Sequence, residues 1–193
     1  MRAESFSFRP APLRAQVTYR LEPGLLHGPH GTLELSNVTR AALVDHVIRG
    51  QRMRRLDLYT GKRVVHIGLN RDASLPVTDS DRAAHHALCR ALATHLAENT
   101  PDLPVAIGET GGARWAMFAI GASSLLFSLG ILIAAAVSGI SGDRMAAAAL
   151  PMLMLAGLGV LLIQGNAPWK KQPTLPATLL PAMIDALDPP TND

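Results

Sequence analysis

Two runs without a charged side chain, Trp115 to Gly142 and Met145 to Trp169, limit this chain more than any other feature. Each exceeds the roughly 20 residues that a helix needs to cross the hydrocarbon of a bilayer. A soluble helix pair of this length would carry a polar stripe on its outer face, and neither run has one. The sequence therefore predicts a transmembrane helical hairpin over 115–168, with spans at about 115–141 and 145–167 and Ser141, Gly142, Asp143 and Arg144 near the break. The composition agrees, since 48% apolar and 17% charged residues over 193 positions is too greasy for a purely soluble chain.

Charge around the hairpin sets the expected orientation. Arg114 precedes the first span and Lys170 and Lys171 follow the second, whereas Arg144 in the intervening loop is offset by Asp143. Flanking Lys and Arg favour the cytoplasmic side, so both termini are expected in the cytoplasm, with the hairpin in a bacterial inner (plasma) membrane. The opening residues MRAESFSFRP lack the apolar stretch of a secretory leader, so the head is expected to stay where it is made. The single cysteine forms no intrachain disulfide, which suits a reducing compartment. Residues 1–114 hold 15 Lys and Arg against 11 Asp and Glu, so the basic excess sits in the head.

The head, taken as residues 1–98, reads as short strands closed by one helix. AQVTYRLE alternates Val17, Tyr19 and Leu21 with polar residues before Pro23-Gly24 turns the chain, and TLELSNV follows the turn-rich HGPHG. RRLDLYT, Gly61-Lys62 and RVVHIGL make the clearest hairpin, with Leu56, Leu58, Val65, Ile67 and Leu69 on one side. The β-branched residues of ALVDHVI favour a further strand. Thr78-Asp79-Ser80-Asp81 is a capping-box pattern that starts a helix at about Asp79 and carries it to Glu98. A Pro/Gly-rich linker over 99–114 joins head to hairpin, and a short amphipathic cytoplasmic tail fills 169–193.

That helix holds His85, His86, His95 and Cys89, a dense set of ligand-type side chains. At about 100° per residue, Leu88, Leu92 and Leu96 form a stripe with His85 and Cys89 on or beside it, while His86 points to the far side. His95 lies about 15 Å along the axis from His85. Two groups one turn apart fall short of the three or four ligands of a zinc site, so no metal and no cofactor is expected, and the segment reads as a helix packing on a sheet.

A run of strands closed by a C-terminal amphipathic helix resembles the pleckstrin-homology-like domains of bacterial membrane proteins. The resemblance covers about residues 14–98, through LELSNVTRAALV, RRLDLYTGKRVVHIGL and DRAAHHALCRALATHL. It implies an α+β chain whose strand-rich head is a partly open barrel or sandwich plugged by the helix, usually with an adaptor or scaffold role. In several such proteins the membrane hairpin precedes the domain, whereas here it follows.

No catalytic residue is expected. The chain lacks a G-x-S-x-G elbow, an S-x-x-K pair, a Walker loop and a G-x-G-x-x-G after a strand, and its acidic residues are spread singly. Both runs also lack the ionisable residues that mark ion paths. The basic cluster Arg49, Arg52, Arg54, Arg55, Lys62 and Arg63 reads either as a solvated face or as a contact for anionic lipid headgroups or an acidic partner. Nucleic acid is not expected, because Tyr59 is the only nearby aromatic. Gly121, Ser124 and Ser128, with Gly157 on the second span, let helices approach closely, either within the hairpin or against other membrane subunits. In the tail, Leu180, Met183, Ile184 and Leu187 form a narrow apolar face beside Asp185 and Asp188, suited to docking on protein. The expectation is a non-enzymatic accessory or scaffolding subunit of a larger membrane complex, such as a respiratory or transport assembly. The alternative is a tethered module that binds an anionic lipid surface, and the third reading is a small enzyme with an unrecognised site.

Overall fold

Alternating apolar residues do build strands here, but more of them than the sequence pattern predicts. The computed structural model describes residues 3–61, 63–76, 78–108, 112–139, 141–170 and 173–188. Among these the chain is mixed α+β, with two sheets and four helices, two of them long and apolar. It divides into two units, residues 1–108 with 172–193, and residues 109–171.

In the first unit, β1 (Glu4–Phe8), β2 (Val17–Glu22), β3 (Leu25–Gly28) and β4 (Gly31–Glu34) form an antiparallel meander in chain order. Strand β1 places Phe6 opposite Tyr19 and Phe8 opposite Val17, and Phe8 stacks on Tyr19 with ring centroids 5.8 Å apart. Serines separate its aromatics, so a strand that looks polar by count still sends Phe8 into the core. A second sheet holds β5 (Arg40–Ile48), β6 (Gln51–Thr60), β7 (Arg63–Asp72), β8 (Pro104–Ile107) and β9 (Thr174–Pro176) in the order β7-β6-β5-β8-β9. Leu58 faces Val65 and Leu56 faces Ile67 across β6 and β7, in the register that the alternation predicts.

Helix α1 (Ser80–Asn99) packs between the sheets through His85, Leu88, Cys89, Leu92 and Leu96, all buried. Its cap is Asp79, whose carboxylate accepts the Arg82 N–H at 3.0 Å, rather than Thr78. The capping-box reading is displaced because Asp81 is engaged elsewhere, by Arg71 of β7 and by the Arg9 N–H at 2.9 Å.

The domain boundaries differ from the sequence reading in two places. Strand β8 lies inside the expected linker, parallel to β5. The expected free tail belongs to the head: β9 pairs with β8, and α4 (Leu180–Leu187) packs on α1 with Leu180 and Ile184 fully buried. Met183 and Leu187 pack against the same core. The apolar face expected to dock on a partner is thus taken up by the chain's own α1, because burial there removes it from water without a second protein.

The second unit is α2 (Gly112–Val137) and α3 (Gly142–Asn166), which pack along their lengths. Within them, Arg114–Val137 and Ala147–Asn166 are long and apolar enough to cross a membrane. Gly121, Ser128 and Ala135 recur every seven residues on α2 and are the buried positions among its described residues, the repeat that keeps one seam facing a neighbouring helix. A Cβ on Gly121 would lie 2.8 Å from the Leu162 Cβ, and one on Gly159 would lie 2.8 Å from the Gly121 carbonyl oxygen, so glycine at both sites sets the closeness of the pair. Near the helix ends Arg114 donates to the Ala167 carbonyl at 2.6 Å, and Phe118 meets Trp115 and Trp169 edge-on.

Candidate functional site

The densest polar cluster of the head lies where α4 closes against β6 and α1. Residues on the inward side of β6 continue the line of Leu58 and Leu56 to Arg54 and Arg52, so the strand alternation that fills the core also drives two guanidiniums into its end. Arg54 donates through Nη1 to Asp188 Oδ2 at 2.5 Å, and through Nη2 to Asp188 Oδ1 at 3.3 Å and the Leu187 carbonyl at 3.1 Å. Arg82 of α1 reaches Asp188 from the other side, with Nε 3.2 Å from Oδ1 and Nη2 closer, and donates to the Leu75 carbonyl at 2.8 Å. Arg52 forks onto Asp45, with Nε to Oδ1 at 3.0 Å and Nη2 to Oδ2 at 2.8 Å. Bidentate, charge-assisted bonds of this kind compensate the loss of hydration that burial imposes.

Burial raises the pKa of Asp188, but hydrogen bonds from Arg82 and Arg54 and their charges outweigh it and hold the carboxyl below the usual carboxylate range. His86, which the helical wheel turned away from the apolar stripe, stands beside this cluster, 3.5 Å from Asp188 and 3.7 Å from Asp185. Desolvation lowers its pKa, against the pull of Asp188. Arg90 pairs with Asp185 at 2.8 Å. An open groove of about 880 Å³ runs beside the cluster, between Phe6 of β1 and Ala87, Arg90 and Thr94 of α1.

The basic cluster seen in the sequence is therefore not one surface. Arg54 is buried, Arg52 is held by Asp45, and Arg55 pairs with Asp57 at 2.9 Å. Arg63 donates to the His30 carbonyl, and Lys62 lies outside the described residues. Arg49 and Arg63 are the exposed members among the described residues of the group, and Arg49, at the β5–β6 turn, has no hydrogen bond or ion pair to another described residue. The alternation of β6 sends its arginines to opposite faces, which a count of charges along the chain does not register.

His85 and Cys89 sit together inside the core, with Sγ 3.6 Å from Nε2, and Nε2 lies 3.2 Å from the Ile67 carbonyl. Burial lowers the imidazole pKa to about 4 and pushes the thiol up to about 12, so at neutral pH the pair is an uncharged imidazole beside a protonated thiol, unsuited to nucleophilic chemistry. No cluster of three metal-ligating side chains occurs among the described residues.

Of the small residues singled out on the helices, Gly121 and Ser128 lie in the seam between α2 and α3. Ser124 bonds back to the Ile120 carbonyl at 2.9 Å, and Gly157 faces open space, with nothing within 4 Å of an added Cβ. What sequence reasoning missed is the pairing of Asp188 inside the head. Its partners Arg54 and Arg82 lie 134 and 106 residues away, and no local pattern announces pairing over such separations.

This chain is an α+β protein with two sheets, a buried arginine–aspartate cluster and two long apolar helices. No family model, no curated protein and no solved structure matches it.

Proposed function

We propose that this chain is a non-enzymatic integral membrane protein of a bacterial-type inner membrane, an accessory or scaffolding subunit of a larger membrane assembly with both termini in the cytoplasm. The observation that carries the reading is the outer surface of α2 and α3. Leu126 is 70% and Phe127 63% exposed, Met154 70% and Leu161 68%, and Trp115 to Gly142 holds no charge. Apolar surface of this extent is stable against lipid tails or other apolar helices, not against water. Two spans are more than a simple tether requires, and Gly157 leaves a small, open position at which another helix can approach. The head is read as pleckstrin-homology-like on its four-strand meander, its three antiparallel strands β5–β7 and the following α1, which support an adaptor role.

Binding of anionic lipid through the six-residue basic cluster is the weaker alternative, since three of its arginines are spent on aspartates of the head. Gentle solubilisation followed by mass spectrometry of co-purifying proteins tests the main reading. A stoichiometric set of integral membrane proteins is expected, and a chain that runs alone removes the accessory-subunit role. A cysteine at Ser141, in a background lacking Cys89, is expected to react with an impermeant thiol reagent from outside intact cells. Reaction from the cytoplasmic side alone removes the orientation.

A further inference from the structure

The β5–β6 turn is an unusual tip for a strand ribbon. Arg49 (φ 51°) and Gly50 (φ 76°) occupy the left-handed region in succession, the geometry of a two-residue turn closed by Ile48 and Gln51. The two residues before the turn are both apolar and β-branched, and both face solvent, with Val47 56% and Ile48 61% exposed. Arg49 stands beside them exposed and without a described counter-charge. The carboxylates closest in register are already engaged, Asp45 by Arg52 and Asp72 by the Ser74 N–H and hydroxyl.

Sheet topology gives this tip a direction. Strand β8 runs parallel to β5, with Leu43 level with Ile107, and the chain leaves the sheet at Gly108, whose N–H bonds to the Leu43 carbonyl at 2.9 Å. It returns antiparallel, with Thr174 level with Ala106, so residues 109–171 depart from and rejoin one end of this sheet. β5 continues beyond that exit to Ile48, five residues or about 17 Å further in the same direction. The exposed aliphatic pair and the cation therefore project from the end of this sheet at which the chain leaves at Gly108 and re-enters before Thr174. Arg114 and Lys170 flank the two long apolar helices near the same junctions.

We propose that the β5–β6 tip docks on the bilayer that holds the hairpin, with Val47 and Ile48 entering the interfacial layer and Arg49 meeting anionic headgroups. This rests on the reading of α2 and α3 as membrane-spanning. An aliphatic pair beside a cation suits the boundary between acyl chains and charged headgroups. The tether keeps the tip at high local concentration over that surface, so few groups suffice to hold it. Docking would fix the height and tilt of the head over the membrane, in keeping with a scaffold.

The test uses the full chain with Cys89→Ser and Ile48→Cys, labelled with an environment-sensitive fluorophore. The labelled chain is placed in nanodiscs of phosphatidylcholine alone or with phosphatidylserine. A parallel Val47→Cys variant guards against a local effect of the label. The expected result is blue-shifted emission and quenching by lipids spin-labelled near the headgroup, several-fold stronger with phosphatidylserine and lost on adding Arg49→Glu. Chain that co-elutes with discs yet shows unquenched emission at both positions overturns the docking and leaves the membrane reading intact. Equal quenching in both lipids overturns the assignment of an anionic surface. Chain that fails to enter discs removes the membrane reading and the docking with it.

Discussion

Arg54 and Asp188, 134 residues apart, meet in a buried ion pair with Nη1 2.5 Å from Oδ2, and this pair pins the C-terminal segment to the strand-rich head. Removing one partner strands the other charge away from water. Asp188→Ala is expected to destabilise the head by about 3–5 kcal/mol, measured by denaturant unfolding, and to expose residues 173–188 to protease. The double change Arg54→Met with Asp188→Leu is expected to cost less than Asp188→Ala, since no lone charge remains.

Because β8 and β9 are adjacent, with Ala106 opposite Thr174, the head closes across a gap that a short turn can span. A chain in which a short Gly-Ser linker joins Gly108 directly to Pro173 is expected to be water-soluble, with circular dichroism of a mixed α+β protein and cooperative unfolding. A chain ending at Gly108 is expected to lose cooperativity, since it lacks the buried Leu180, Ile184 and Asp188. Equal behaviour of the two would refute the role given to the tail.

Acid should weaken the head in two stages. His85 titrates at about 4 when folded, against ~6.5 for a free imidazole, so the unfolded chain binds the extra proton first as pH falls. Its contribution is complete above about pH 6.5 and is lost progressively towards pH 4, amounting to ~3 kcal/mol at ~1.4 kcal/mol per unit. The lowered pKa of Asp188 works in the same sense, its contribution being lost below about pH 3.9. Denaturant unfolding across this range is expected to show the first loss, and His85→Gln is expected to flatten it.

The α1 stripe sets a magnitude for the core. Leu92 is fully buried, so Leu92→Ala is expected to cost about 2–5 kcal/mol. Ile184→Asp, on the buried face of α4, is expected to detach the tail from the head. Purified protein is expected to carry no stoichiometric zinc, and zinc lost on Cys89→Ser or His85→Ala would overturn the packing role of that pair.

Two glycines separate the internal and external surfaces of the helix pair. Gly121→Leu drives a side chain into Leu162 and the Gly159 backbone, so it is expected to splay α2 from α3, seen as lost disulfide cross-linking of engineered cysteine pairs across the seam. Gly157→Leu meets nothing within 4 Å and is expected to leave that cross-linking intact. If it also leaves co-purifying subunits in place, Gly157 does not line a partner contact.

Local pattern determined much of this protein. The two uncharged runs settled the helices of the second unit, the alternation around Gly61 settled the register of β6 and β7, and the Leu88–Leu92–Leu96 stripe settled the buried face of α1. These follow from side-chain periodicity, which a chain carries in itself. The tertiary structure alone decided which surfaces those elements cover. The apolar face of α4 looked free because its partner, α1, lies across the whole hairpin in sequence, and the arginines of β6 looked like one patch because their aspartates come from β5, its own outer face and the end of the chain. Pairing over such separations is set by the closing of the sheet, with β8 and β9 brought together from either side of residues 109–171, and no local sequence signal encodes it.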